Sequence, residues 1–330
     1  MSDWIATSRS NANIAFVKYW GARDAALNIP YNDSLSMNLS DAVTVTTVHF
    51  ADYPADTLII DGAAAGPAQV TRASRHLDHI RRLAGVEMPA RMVSRNSFPM
   101  GTGMASSAAG FAALTVAASA ALGLDLTERE LSALARLGSG SACRSIPAGY
   151  TLWHAGHDHA SSFAETVAPP EHWDLRDVTA VVSAAHKEVS SAQGHRLADT
   201  SPFLSARLAD LPRRMGRVRA ALSARDIEAL GEELEAEAIA LHVLAMTSRP
   251  PLMYWEPATV AIMRLCPQWR SQGVGVYFTL DAGPNVHLIC EASQADAVVE
   301  RLKGLASVQA TYVNGPAGPA HLMGEHLFVP

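Results

Sequence analysis

One lysine interrupts an apolar run in Asn13-Ile14-Ala15-Phe16-Val17-Lys18-Tyr19-Trp20-Gly21-Ala22-Arg23-Asp24, and the chain holds only two others, Lys187 and Lys303. Such a lysine either lays its stem along apolar surface and sends its ammonium to water, or is a partly buried cation aimed at an anion. Three further segments bear on the choice. In the first, Phe98–Gly110 (FPMGTGMASSAAG), glycines precede Ser106 and Ser107. Glycine lets a backbone approach a ligand closely, and the free N–H groups of a helix start attract phosphate. The two hydroxyls could then bind phosphate oxygens or magnesium. The segment is not a Walker loop, since no Gly-Lys-Ser/Thr follows, and Ser106 stands where a dinucleotide fingerprint has its third glycine. An ordinary Gly-rich turn capping a buried helix is an equally good account. The second segment, Gly138-Ser139-Gly140-Ser141-Ala142-Cys143-Arg144-Ser145, offers another nest of amides and hydroxyls. Its arginine fork suits a carboxylate or phosphate, although a helix C-cap with a surface arginine explains it more simply. In the third, Asp281 closes the apolar stretch VGVYFTL at a Gly-Pro-Asn turn. It is either a local turn aspartate or a carboxylate presented at a strand end as base or orienter.

The histidines His154, His157 and His159 in WHAGHDHASS lack a cysteine or carboxylate pattern that would complete a metal site, and read as loop. His242, in ALHVLAM, reads as a helix residue packed against the site or core.

The elements that must position these groups follow from local pattern. Strands are expected at 41–50 (DAVTVTTVHF) and 56–62 (DTLIIDG), where β-branched residues are bounded by aspartate. Leu77, Ile80 and Leu83 mark a helix over 71–84, and 90–98 is extended up to Pro99. Residues 103–124 form an alanine-rich helix, about 30 Å long and so of membrane-spanning length. Its four hydroxyl residues, and the lack of a comparable run elsewhere, make it a buried core helix instead. Thr127-Glu128-Arg129-Glu130 is a capping box opening a helix to Leu137. The pattern breaks at Ala168-Pro169-Pro170. A strand is expected at 177–184, then helices near 203–222, 226–246 and 256–267. A hairpin-like pair at 274–280 and 286–290, a helix at 294–305 and a last strand-like segment complete the chain. Strands mixed irregularly with helices predict an α+β protein in two domains, 1–172 and 173–330.

At 330 residues the chain can bury a large core, and a hydrophobic share of 48% against 18% charged is that of a globular protein. A net charge of −6 argues against nonspecific nucleic-acid or membrane binding. An anionic ligand must therefore be attracted by a few placed cations. Cys143, Cys266 and Cys290 have no CxxC spacing and read as free thiols in a reducing cytoplasm. The N-terminus shows no secretory pattern.

Taken in order, NIAFVKYWGARD, NSFPMGTGMASSAAGFAAL, GSGSACRS and FTLDAGPN, with NDSLS, VSSAQGH and SRPPLMY as minor matches, resemble the GHMP kinase superfamily and, within it, the mevalonate diphosphate decarboxylases. The resemblance spans nearly the whole chain. It implies a two-domain α+β fold with the active site in the cleft between the domains, and a homodimer. The implied reaction uses ATP and Mg2+ to phosphorylate the tertiary hydroxyl of a 5-phosphorylated mevalonate, after which phosphate and carbon dioxide leave. In that reading Asp281 orients or deprotonates the hydroxyl, Arg144 clamps the carboxylate, and Lys18 keeps Asp281 ionised and stabilises the transferring phosphoryl group. Tyr19, Ser139, Gly140, Ser141, Ser190 and Ser191 contact substrate. The resemblance further implies that Ser94, Asn96, Pro99, Gly101, Gly103, Met104, Ala105, Ser106 and Ser107 bind ATP, with Ser106 and Ser107 also at the magnesium. One departure stands out. Diphosphate-specific members usually carry a lysine where this chain has Ala22, and phosphomevalonate decarboxylases are similar in lacking it. The monophosphate, giving isopentenyl phosphate, is therefore the expected substrate. The alternatives are the diphosphate, a mevalonate kinase that does not decarboxylate, and a noncatalytic metabolite-binding protein.

Overall fold

A computed structural model of the chain describes residues 4–98, 106–183 and 189–328. In chain order the first half runs β1 (Ile5–Val17), β2 (Ala22–Asp24), β3 (Ile29–Pro30), β4 (Ser34–Phe50), β5 (Thr57–Ile60), β6 (Ala63–Ala64), α1 (Pro67–Ala84), β7 (Ala90–Asn96), α2 (Ser106–Ala121), α3 (Glu128–Gly138), β8 (Tyr150–Trp153) and β9 (Ala164–Ala168). The second half runs β10 (Leu175–Val181), α4 (Ser191–Leu197), α5 (Leu204–Ala224), α6 (Ile227–Thr247), α7 (Pro257–Ser271), β11 (Val276–Thr279), β12 (Val286–Glu291), α8 (Ala295–Lys303), β13 (Ala310–Asn314) and β14 (His321–Met323). This is a mixed α+β fold in two domains, each built on its own sheet.

The first sheet has the strand order β14-β1-β4-β7-β5-β6, with β8 paired to β4 and β9 to β8. The long antiparallel pair β1–β4 forms its spine, in register from Ile5 opposite His49 to Val17 opposite Leu35. Against it lies α2, whose alanines Ala108, Ala109, Ala112, Ala113, Ala117 and Ala118 are all fully buried. Small side chains on every side let this helix sit between β1, β4 and α3 without a polar face. Its 16 residues span about 24 Å, and no described helix is long and apolar enough to cross a membrane. The helix expected from 71 begins at Pro67, because proline at the first helical position needs no N–H partner there.

The second sheet is β11-β12-β10-β13, all antiparallel. Ile262 and Trp269 of α7 and Val298 and Leu302 of α8 cover it, packing with Val178, Val276 and Leu288. One apolar cluster runs through both halves, joining Ile14, Phe16 and Met37 to Leu211, Leu234 and Ile289. The last strand does not stay with the second half: Thr7, Ser8 and Arg9 of β1 pair with Met323, Leu322 and His321. All three cysteines are free and buried.

Candidate active site

A cavity of about 1050 Å³ opens between the halves. One end is built by β5, α1 and β7, where Leu58, Ile60 and Phe98 present an apolar wall beside Ser94 and Asn96. Both polar groups are set by the neighbouring strand, since β7 pairs with β4 in a register that brings Thr46 to Ser94 and Thr44 to Asn96. Accordingly Ser94 Oγ lies 2.8 Å from Thr46 Oγ1, and Thr44 Oγ1 donates to Asn96 Oδ1 at 2.7 Å. Ser106 and Ser107, in the first turn of α2, line the same cavity. Ser107 Oγ sits 3.3 Å from Ser139 Oγ, which joins the two Gly/Ser clusters. Pro99, Gly101, Gly103, Met104 and Ala105 lie outside the described residues.

Lys18 follows the last residue of β1 and is 1% exposed, so its ammonium does not reach bulk water. Instead Nζ lies 2.8 Å from Asp281 Oδ1, an aspartate whose side chain is 28% exposed toward the cavity. Burial alone would push this carboxyl up, but the Lys18 ammonium, with His287 and Arg144 further off, holds it below the usual carboxylate range. Asp281 is therefore an ionised acceptor at neutral pH.

The main chain of Lys18 is fixed as firmly as its side chain. Its N–H donates to Glu237 Oε1 at 3.0 Å, and its carbonyl accepts from Arg207 Nη2 at 3.0 Å and from Asn32 Nδ2 at 3.1 Å. Glu237 is fully buried on α6 and pairs with Arg207 and, at 3.3 Å, with Arg214 of α5. Two helices of the second half thus anchor a residue at the end of the first strand. His242, one turn further along α6, donates from Nε2 to the Asp281 carbonyl at 3.2 Å and steadies the opposite partner.

Arg144 is 4% exposed, which removes the surface-arginine account of its motif. All its guanidinium nitrogens donate to neutral oxygens: Nε and Nη2 to Asn13 Oδ1 at 3.1 and 3.0 Å, and Nη1 to Ser34 Oγ at 2.7 Å. Asn13 is itself tied to Ser145 Oγ at 2.8 Å, so β1, the start of β4 and the short 3-10 turn Gly140–Ser145 converge on one cation. Arg144 has no ion pair among the described residues, although it lines the cavity. A buried guanidinium without a counter-ion is costly, and a bound carboxylate removes that cost.

Ser139, Gly140 and Ser141 complete this wall. A Cβ on Gly140 would fall 2.6 Å from Tyr19 Cε1, so only glycine lets the turn press against the tyrosine ring. Burial pushes the Tyr19 phenol far above its usual range, keeping it a hydroxyl. Opposite, α4 is opened by Ser190, whose side chain caps Gln193 N at 3.2 Å, and Ser190 and Ser191 reach the cavity. Every described residue expected at the site therefore lines one cavity. Sequence reasoning left out Asn13, Ser34, Glu237, Arg207 and His195. Their signal is three-dimensional, since Asn13 and Arg144 lie 131 residues apart and Lys18 and Glu237 lie 219 apart. The three loop histidines are elsewhere: His154 meets Glu165 at 2.8 Å and His159 meets Arg136 at 2.9 Å.

Comparison with known proteins shows the family of the chain. Residues 10–164 match a family model described as the diphosphomevalonate decarboxylase-like N-terminal domain, and residues 178–317 match the mevalonate 5-diphosphate decarboxylase C-terminal domain. The chain is 36% identical to diphosphomevalonate decarboxylase of Aspergillus fumigatus over 94% of its own length and 83% of that protein's. It is 33% identical to phosphomevalonate decarboxylase of Haloferax volcanii, over 97% of this chain and 98% of the other. Among solved structures it superposes on MDDEF in complex with MVAPP, AMPPCP and magnesium with a TM-score of 0.92, at 35% identity over 97% of this chain and 98% of that one.

Proposed function

Because the chain belongs to the diphosphomevalonate decarboxylase family, whose activity is ATP-dependent decarboxylation, we propose that it acts on (R)-5-phosphomevalonate and yields isopentenyl phosphate, ADP, phosphate and carbon dioxide. The observation that carries the catalytic reading is the ion pair of buried Lys18 with the cavity-facing Asp281, set with the uncompensated Arg144 on the wall of one cavity.

The roles follow from charge and reach. The Asp281 carboxylate accepts the hydrogen bond of the tertiary hydroxyl and takes its proton as the oxygen attacks the γ-phosphoryl group. Lys18 Nζ keeps that carboxylate ionised and opposes the negative charge that builds on the phosphoryl oxygens. Phosphate then leaves with the C–O bond. The C–C bond to the carboxylate breaks, its electron pair becomes the new double bond, and carbon dioxide departs, together with the phosphate or after it. Arg144 holds the carboxylate in the plane this elimination needs, through N–H groups that the protein leaves unpaired.

ATP takes the end lined by Ser94, Asn96, Ser106 and Ser107, with its phosphates at the start of α2. The hydroxyls of Ser106 and Ser107 are hard oxygen donors that fit Mg2+, which when bound neutralises phosphate charge. The ATP analogue and magnesium in the solved neighbour support this end of the reading. Tyr19, Ser139, Gly140, Ser141, Ser190 and Ser191 surround the substrate.

The monophosphate is favoured because Ala22 lines the cavity where a lysine would meet a distal phosphate. Arg23, the next cation in sequence, donates instead to Gly156 O at 3.2 Å and is turned away. Steady-state kinetics on the 5-phosphate and the 5-diphosphate test it: a higher kcat/KM for the monophosphate is expected, and a preference for the diphosphate refutes it.

A further inference from the structure

The side of the cavity next to Ala22 carries a histidine whose hydrogen-bonding state the structure determines. Gly21 N–H donates to His195 Nδ1 at 3.1 Å. A backbone N–H can only donate, so Nδ1 is the acceptor and the proton of the neutral ring sits on Nε2. Burial, reinforced by the nearby Arg144 guanidinium, pushes this imidazole down to about 3, so the ring is neutral at any working pH. The ring is also clamped, stacked on Tyr19 with centroids 4.0 Å apart and lying 4.8 Å from Trp20. Gly194 allows this approach, because a Cβ there would fall 2.4 Å from Trp20. His195 is half-buried and lines the cavity, and its Nε2 has no protein partner among the described residues. The result is a rigid neutral N–H donor with no hydrogen-bond acceptor among the described residues.

The next residue, Arg196, also lines the cavity and is exposed, with no ion pair or hydrogen bond among the described residues. The other described cations on the cavity wall have other places: Lys18 pairs with Asp281, Arg144 is the one assigned to the substrate carboxylate, and Arg72 bonds Gly138 O at 2.9 Å and covers the Phe111 ring. The Gly21–His195 bond fastens α4 directly against the segment that holds Ala22.

We propose that His195 Nε2–H and the Arg196 guanidinium bind the 5-phosphate of the substrate and set the preference for a monophosphate; this rests on the decarboxylase reading above. One fixed donor and one movable cation suit a compact dianion. A second phosphoryl group would extend toward Ala22, which offers neither charge nor hydrogen bond, and a site that leaves polar groups unpaired discriminates against the ligand carrying them.

The test measures kcat and KM for 5-phosphomevalonate, 5-diphosphomevalonate and ATP in the wild type and in Arg196→Ala, His195→Asn and His195→Gln. Asparagine keeps an acceptor for Gly21 N–H but loses the donor at Nε2, whereas glutamine returns a donor near that place. Arg196→Ala and His195→Asn should each raise KM for 5-phosphomevalonate about tenfold or more, with kcat and the KM for ATP changed less than about threefold. His195→Gln should recover most of the loss. Unchanged KM for 5-phosphomevalonate in both Arg196→Ala and His195→Asn overturns the proposal, as does an equal rise in the KM for ATP. The wild-type ratio between the two substrates is read separately: a preference for the diphosphate refutes the monophosphate reading and its selectivity, while the variants still report whether the pair grips the 5-phosphate.

Discussion

Lys18→Met keeps the apolar stem of the lysine and removes its charge, which makes it the sharpest perturbation of the proposed chemistry. At the 2.8 Å separation of Nζ and Asp281 Oδ1, the gross Coulomb attraction is about 6 kcal/mol at an effective dielectric near 20. Part of this is lost to solvent, because the Asp281 side chain is 28% exposed and water can replace the ammonium in the variant. The surviving loss in the transition state is about 3–4 kcal/mol, the size seen when one charge-stabilising donor is removed from a reacting oxygen, and kcat should fall by about two to three orders of magnitude. The variant also makes a second, independent statement. In the wild type Lys18 outweighs burial and holds the Asp281 carboxyl low. Without it, burial dominates and the carboxyl titrates at higher pH. The acid limb of the kcat/KM profile must therefore move up in pH, and low-pH activity must be lost before neutral-pH activity. The assay is ADP release over a pH series for both proteins, with the circular dichroism spectrum as a check on folding. A Lys18→Met enzyme with wild-type turnover and an unmoved acid limb would mean that the ammonium merely fills space.

Asp281→Asn keeps size and hydrogen bonding but cannot take a proton, so product formation should fall on the order of a thousandfold or more while ATP binding, read by calorimetry, stays near wild type. Arg144→Ala should lower kcat/KM about a hundredfold, the loss of a charged bidentate contact, and near-normal kinetics would remove it from the site. Glu237→Gln keeps an acceptor for Lys18 N–H but leaves Arg207 and Arg214 without their shared buried anion. A stability loss of about 3 kcal/mol in urea unfolding is expected, and a loss under about 1 kcal/mol would show that the ionic cluster does not hold the strand end. Ala22→Lys should shift preference toward the diphosphate by about tenfold, or 1.4 kcal/mol, in the ratio of the two kcat/KM values; an unchanged ratio means that the distal phosphate does not approach this residue.

The parts of the molecule that were legible in the sequence are those whose signal is local. The capping box at Thr127 opens α3 as expected, with Glu130 N bonded to Thr127 Oγ1. The alanine-rich stretch is the central buried helix, and Val276–Thr279 and Val286–Glu291 form the expected hairpin. The first strand was not legible. In IATSRSNANIAFV the serines and asparagines are buried among apolar residues, because Ser8 Oγ donates to Ala113 O at 2.6 Å and Ser10 Oγ to Ser145 O at 3.0 Å. A strand covered on both faces carries no alternation to read. The three-residue β14 has too little sequence to mark its return to the first sheet. In the site, Lys18, Arg144 and Asp281 were visible as odd residues in motifs, but which anion each one meets was not. Lys18 and Asp281 are 263 residues apart, and Gly21 and His195 are 174 apart. Only the closure of the two halves on each other brings them within bonding distance.

The most direct test of the account follows the carbon atom itself. Wild-type protein is incubated with ATP, Mg2+ and 5-phosphomevalonate labelled at its carboxyl group, and labelled carbon dioxide, ADP and phosphate are counted together. All three should appear in equal amounts with isopentenyl phosphate, and Asp281→Asn should abolish them together. ADP formed without carbon dioxide, while a doubly phosphorylated mevalonate accumulates, would contradict the account and make the protein a kinase on the same fold.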